Sequence, residues 1–84
     1  MKPRVTLYTR AGCHLCEEAR RAIKAARARA DFDYQEVDID GHDCEAGLLR
    51  RYNHEVPVIA IDGVKAFKYR VEVNELLKKL EARA

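Results

Sequence analysis

The hydrophobic period of this chain changes abruptly near its start, and that change restricts the fold more than any other feature. Residues 4–9, RVTLYT, set Val5 and Leu7 against Thr6 and Tyr8, the two-residue alternation of a strand. Residues 14–30 then carry Leu15, Ala19, Ala22, Ile23, Ala26 and Ala30 at helical spacing, with Arg20, Lys24 and Arg27 on the opposite face. Glu17 and Glu18 fall in the first turn, where carboxylates suit the positive end of a helix. A strand running straight into a helix, with Cys13 and Cys16 at the junction, is the frame for everything that follows.

The remaining pattern continues the alternation of types. Tyr34, Val37 and Ile39 mark a second strand whose alternation slips at Gln35–Glu36, through a bulge or a late start. Residues 43–52 predict a short helix, weakened by Gly47. VPVIAI, 56–61, predicts a buried strand, Asp62-Gly63 a two-residue turn, and VKAFKY the returning strand of a hairpin. A last helix, about 72–82, buries Val73, Leu76, Leu77 and Leu80. The order β-α-β-α-β-β-α predicts an α/β domain: a parallel first pair of strands, an antiparallel hairpin completing a four-stranded mixed sheet, and helices on both faces.

Length and charge exclude several function classes. With 84 residues the chain makes one domain, and no loop is long enough to carry an elaborate site, so chemistry must lie at element ends. Charged residues are 36% of the chain with a net charge of +2, too balanced to favour nucleic acid or an anionic membrane as partner. No apolar run approaches a membrane span. Met1-Lys2-Pro3-Arg4 leads directly into the first strand, with no apolar leader, which predicts a cytoplasmic protein; a monomer is expected.

The two cysteines at the helix start admit three uses. A structural disulfide is disfavoured by the odd count of three cysteines and by a reducing cytosol. A zinc site needs a second ligand pair; His14, His42, Cys44 and His54 are available, but no second C-x-x-C exists, so no metal is expected. A redox pair fits the position directly. Cys13 at the helix N-terminus meets unpaired amides and a dipole that favour an anion, so a depressed pKa is expected. Cys16, one turn inward, is expected to be buried and less acidic, the asymmetry a dithiol exchange catalyst needs. Arg10 adds positive charge ahead of the pair, or is simply solvated. His14 either tunes the dithiol or is a surface histidine. Pro57 opens a buried strand where it withholds a ladder N–H, as a cis proline or as a tolerated trans one. Cys44 is expected to be a half-buried, inert thiol.

These residues together resemble the glutaredoxins of the thioredoxin-fold superfamily over essentially the whole chain. The resemblance rests on YTRAGCHLC at the strand-to-helix junction, VPV before the third strand and DG in the hairpin. It is strongest toward small glutaredoxin-like proteins with a C-H-L-C motif. It implies that Cys13 attacks, Cys16 resolves, and Pro57 is cis beside the dithiol. The backbone of Val56 would pair with a bound substrate, and Arg10 would meet a carboxylate of glutathione.

The departures are His14 and Leu15 between the cysteines, and Ala66, Phe67 and Lys68 where glutaredoxins have a Gly-Gly pair. A side chain as large as Phe67 is expected to crowd the approach of glutathione. Glutaredoxin-like redoxins that serve ribonucleotide reductase lack the same glycines and draw on thioredoxin reductase. The implied activity is therefore dithiol–disulfide exchange on protein disulfides or glutathione mixed disulfides, with no tightly bound cofactor. Glutathione or a thioredoxin-reductase-type donor would supply the reductant. A metal or iron–sulfur carrier, and a redox-responsive module docking through the surface around Phe67, are the alternatives from other classes.

Overall fold

The computed structural model describes residues 2–41 and 55–83. Its elements are strand β1 (Arg4–Thr9), helix α1 (His14–Arg27), strands β2 (Asp33–Asp38), β3 (Val58–Ile61) and β4 (Val64–Lys68), and helix α2 (Val73–Arg83). The strands form one sheet in the order β2-β1-β3-β4. β1 runs parallel to β2 and antiparallel to β3, which pairs antiparallel with β4. This is the mixed four-stranded α/β arrangement that the pattern predicts. The helix expected over residues 43–52 lies outside the described residues, as do His42, Cys44 and His54.

The core forms where one face of the sheet meets both described helices. Val5 and Leu7 of β1 and Ile59 and Ile61 of β3 pack with Ala19, Ile23 and Ala26 of α1 and Leu76 and Leu80 of α2. Phe32, between α1 and β2, is buried with them. β3 is buried on both faces, since Val58 and Ala60 are as inaccessible as Ile59 and Ile61. That explains its unbroken apolar run.

Local differences from expectation have identifiable causes. α1 ends at Arg27 rather than Ala30. The Ala28 N–H turns back to Ala25 O at 3.2 Å, Ala30 N–H reaches Ala26 O at 2.9 Å, and the chain then leaves the helix to bury Phe32. β2 pairs with β1 in unbroken register, so the slip at Gln35–Glu36 is neither a bulge nor a late start. Glu36 lies opposite Leu7 on the helix-bearing side of this edge strand. Arg20 of α1 meets its carboxylate, with Nη2 2.8 Å from Oε1 and Nε 3.1 Å from each oxygen. Gln35, on the other side, donates to Thr6 Oγ1 at 3.0 Å.

β3 begins at Val58, leaving Val56 and Pro57 ahead of the ladder. Asp62 and Gly63 have φ of 51° and 84°, both left-handed, as a tight hairpin turn matching the twist of its strands requires. Arg4 N–H donates to Asp62 Oδ1 at 2.9 Å and ties that turn to the start of β1. A bulge at Ala66 lets Lys65 oppose Ala60 while Phe67 opposes Ile59. Phe67 therefore shares the face of Ile59 and packs against the core. It remains half-buried there.

Leu76 is fully buried between the helices and the sheet, whereas Val64 on β4 is 58% exposed. Leu76→Ala should cost about 2–5 kcal/mol in urea unfolding, and Val64→Ala less than about 0.5 kcal/mol. Equal costs would contradict this placement of the core.

Candidate active site

Among the described residues, the topology brings Cys13, Asp40, Pro57 and Tyr69 to one end of the sheet. β1 leaves the sheet at Thr9 and leads to Cys13; β3 enters opposite it, with Val58 paired to Tyr8. Pro57 precedes Val58, Asp40 follows β2, and Tyr69 follows β4, so all flank the same edge. Val56 is half-buried and Pro57 buried, and the bond between them is cis.

The β1–α1 junction is built by conformation. Gly12 has φ of +75°, and a Cβ there would meet nothing within 4 Å. Backbone geometry and not space calls for glycine, since other residues pay about 1–2 kcal/mol in that region. The turn delivers Cys13 as the N-cap of α1, with extended φ and ψ of −94° and 110°. Its sulfur accepts the Cys16 N–H at 3.2 Å, satisfying one of the amides that a helix start leaves unpaired. Cys13 is partly exposed, while Cys16 is only 1% exposed, and both are free thiols. His14 opens the helix as an exposed residue and Leu15 is half-buried.

The electrostatics correct one expectation. Burial is the largest influence on the Cys13 thiol and raises its pKa, and the neighbouring Cys16 thiol adds to the rise. The amides of Cys16 and Leu15 pull it down but do not compensate, so the thiol lies above its ordinary value of 9.0 instead of below it. The helix start supplies the stabilisation expected of it, and partial removal from water outweighs it.

Arg10 does not reverse this balance, because its charge is answered elsewhere. Its Nε donates to Asp40 Oδ2 at 3.0 Å and its Nη2 to Asp40 Oδ1 at 2.9 Å, a forked pair. Asp40 is followed first, among the charges acting on the guanidinium, by Asp38 and then by Cys13.

Three further residues at this edge escaped the sequence reading. Asp40 is one. Glu55, just ahead of Val56, is held by Lys65 at 2.9 Å and Lys68 at 3.6 Å, and its carboxyl lies below the usual range, chiefly because of Lys65. Tyr69 is the third: it is 41% exposed, has φ of 67°, and donates its N–H to Pro57 O at 2.8 Å. A left-handed, exposed tyrosine braced on the proline carbonyl is unusual for a non-glycine residue. Its only sequence signal is its place just beyond β4. Among the described residues no group of three or more His, Cys, Asp or Glu is placed to hold a metal ion. None of the described helices is long and apolar enough to cross a membrane.

Residues 4–81 match the family described as "Glutaredoxin-like domain (DUF836)". The chain belongs to this family. A glutaredoxin-like protein of Dictyostelium discoideum is 32% identical over 82 residues, covering 92% of this chain and 74% of that one. The crystal structure of a structural-genomics target protein from X. campestris is similar at 33% identity and a TM-score of 0.73, covering 93% of this chain and 96% of the other. A thioredoxin of Halobacterium salinarum, at 15% identity, shares the fold alone, with a TM-score of 0.68 over 96% of this chain and 74% of that one. This glutaredoxin-like chain thus has a thioredoxin-like fold, and its membership supports a function of redox type.

Because the Cys13 thiol is raised, little of it is ionised at neutral pH, and its reactivity should climb with pH without a plateau below 9.0. Iodoacetamide labelling of Cys13, followed by peptide mass spectrometry, should show this profile. Cys16→Ala removes one upward influence and should move the midpoint down toward 9.0. A native midpoint near neutrality would contradict the assignment.

Proposed function

We propose that this glutaredoxin-like protein is a dithiol–disulfide oxidoreductase. Cys13 is the attacking thiol and Cys16 the resolving one. The observation that carries this reading is the asymmetric pair at the start of α1. A partly exposed sulfur caps the helix, a buried sulfur lies one turn behind it, and the amide of the second donates to the first.

Deprotonated Cys13 attacks one sulfur of a substrate disulfide; that S–S bond breaks, and the departing thiolate takes up a proton. Deprotonated Cys16 then attacks Cys13 Sγ, forming the Cys13–Cys16 disulfide and releasing the second substrate thiol. Two electrons and two protons pass from the dithiol to the substrate. Glutathione or a thioredoxin-reductase-type donor returns the electrons. Val56 and Pro57, which precede β3 at the end of the sheet where β1 leaves it, would align the substrate backbone as an added strand.

The raised Cys13 thiol supports reduction as the working direction. A reduced form that gains little from thiolate stabilisation gives up its electrons more readily than one with a strongly acidic cysteine. The thiolate fraction is small at neutral pH, but a less acidic thiolate is intrinsically a better nucleophile, so attack is slowed less than ionisation alone implies.

The test is insulin disulfide reduction with native protein, Cys13→Ser and Cys16→Ser. Cys13→Ser should lose at least about 99% of the native rate, as expected when the attacking nucleophile is removed. Cys16→Ser should accumulate a mixed disulfide through Cys13 that mass spectrometry detects. Full activity of Cys13→Ser would overturn the proposal.

A further inference from the structure

We infer that Glu55 is a positioning residue for polypeptide substrates: through two lysines of β4 it holds Val56 and Pro57 in the place where a substrate strand adds. The substrate class this favours is a disulfide carried on an extended polypeptide, over a small disulfide with no backbone to pair. The inference rests on the dithiol reading above and gives that site its substrate class.

The bulge at Ala66 makes this possible. On a regular strand Lys65 and Lys68, three residues apart, would point to opposite faces. With one residue bulged out between them, Lys65 lies opposite Ala60 and Lys68 opposite Val58, so both stand on the face that Val58 and Ala60 share. A single carboxylate can then meet both. Glu55 Oε1 accepts from Lys65 Nζ at 2.9 Å and lies 3.6 Å from Lys68 Nζ. The Glu55 carboxyl, held below its usual range chiefly by Lys65, stays ionised where the thiol chemistry runs.

Glu55 directly precedes Val56 and Pro57, and β3 begins after them at Val58. The far end of the same segment is tied to β4 through the backbone, since Tyr69 N–H donates to Pro57 O at 2.8 Å. Lys68 links the two ties, with its Nζ 5.5 Å from the centre of the Tyr69 ring. Val56 is therefore bracketed by two attachments to one strand, a side chain ahead of it and a carbonyl after it. This limits its freedom to swing away from the end of the sheet where β1 departs. A polypeptide that pairs with the Val56 backbone meets a template already held, so less ordering is left to the binding step. A small disulfide makes no such pairing and gains nothing from the clamp. The side chains of Glu55, Lys65 and Lys68 are 26%, 40% and 52% exposed, so water competes for them and the effect is moderate.

The experiment mixes pre-reduced protein with two uncharged substrates and follows thiol release in a single turnover. One is the disulfide-linked dimer of an extended peptide with blocked termini; the other is hydroxyethyl disulfide, which has no peptide backbone. The quantity read is the ratio of the peptide rate constant to the hydroxyethyl disulfide rate constant. Glu55→Gln should lower this ratio about two- to five-fold, the size expected for one exposed ion-pair cluster. The loss should lie in the peptide concentration that gives half the limiting rate, and not in the limiting rate itself. The double variant Lys65→Gln with Lys68→Gln should lower the ratio similarly. Adding Glu55→Gln to that double variant should lower it no further, because Glu55 acts through those lysines.

An unchanged ratio in Glu55→Gln, with both substrates still reduced, overturns the positioning role and leaves the dithiol reading standing. An equal loss on both substrates also overturns it, since Glu55 then supports the fold at large and not the strand-adding segment. A further fall in the triple variant overturns the route through the lysines. Failure of the native protein on both substrates overturns the dithiol reading, and this proposal with it.

Discussion

β1 is hydrogen-bonded along both edges, in parallel to β2 and antiparallel to β3, and its inward side chains Val5 and Leu7 are fully buried. A strand held this way cannot shift its register without turning Val5 and Leu7 out of the core. The point where it leaves the sheet, after Thr9, is therefore fixed. Arg10, the left-handed Gly12 and the capping Cys13 all follow within four residues of that point. The positions of Pro57, Tyr69 and Asp40 come from the strands that β1 organises: β3 pairs with β1 directly, β4 pairs with β3, and β2 lies on the other edge. The precision of the site is borrowed from the core and not from its own loops.

Within that frame two electrostatic effects meet at Cys13. The helix start favours an anion, and partial burial beside a second thiol disfavours it; the second prevails. Arg10, the cation ahead of the pair, is held in a fork by Asp40. A Cys13 thiol raised above its ordinary value is consistent with the proposed working direction, reduction, rather than strong oxidation.

The fold was legible in the sequence because its main signals are short-range and redundant. The alternation of RVTLYT, the Asp62-Gly63 pair with both φ angles positive, and the Leu76–Leu80 spacing each specify an element without reference to another. The position of the dithiol was legible for the same reason. Features that depend on pairs distant in sequence were not. Glu36 breaks the alternation of β2 because Arg20 of α1 waits above it, and Asp40 meets Arg10 across thirty positions. Phe67 turns inward because a bulge at Ala66 resets the register, a one-residue matter that composition does not announce. The direction of the Cys13 shift depends on how deeply the sulfur sits, which no local motif encodes.

The most direct test of the account is equilibration of the protein in dithiothreitol redox buffers, with the Cys13–Cys16 bond mapped by proteolysis and mass spectrometry. The account predicts one reversible intramolecular disulfide between Cys13 and Cys16. Its potential should fall on the reducing side, between about −200 and about −270 mV, the span from glutaredoxins to thioredoxin. A potential more oxidising than about −180 mV would contradict the electrostatic balance described at Cys13. The absence of any reversible Cys13–Cys16 bond would contradict the assignment of the site itself.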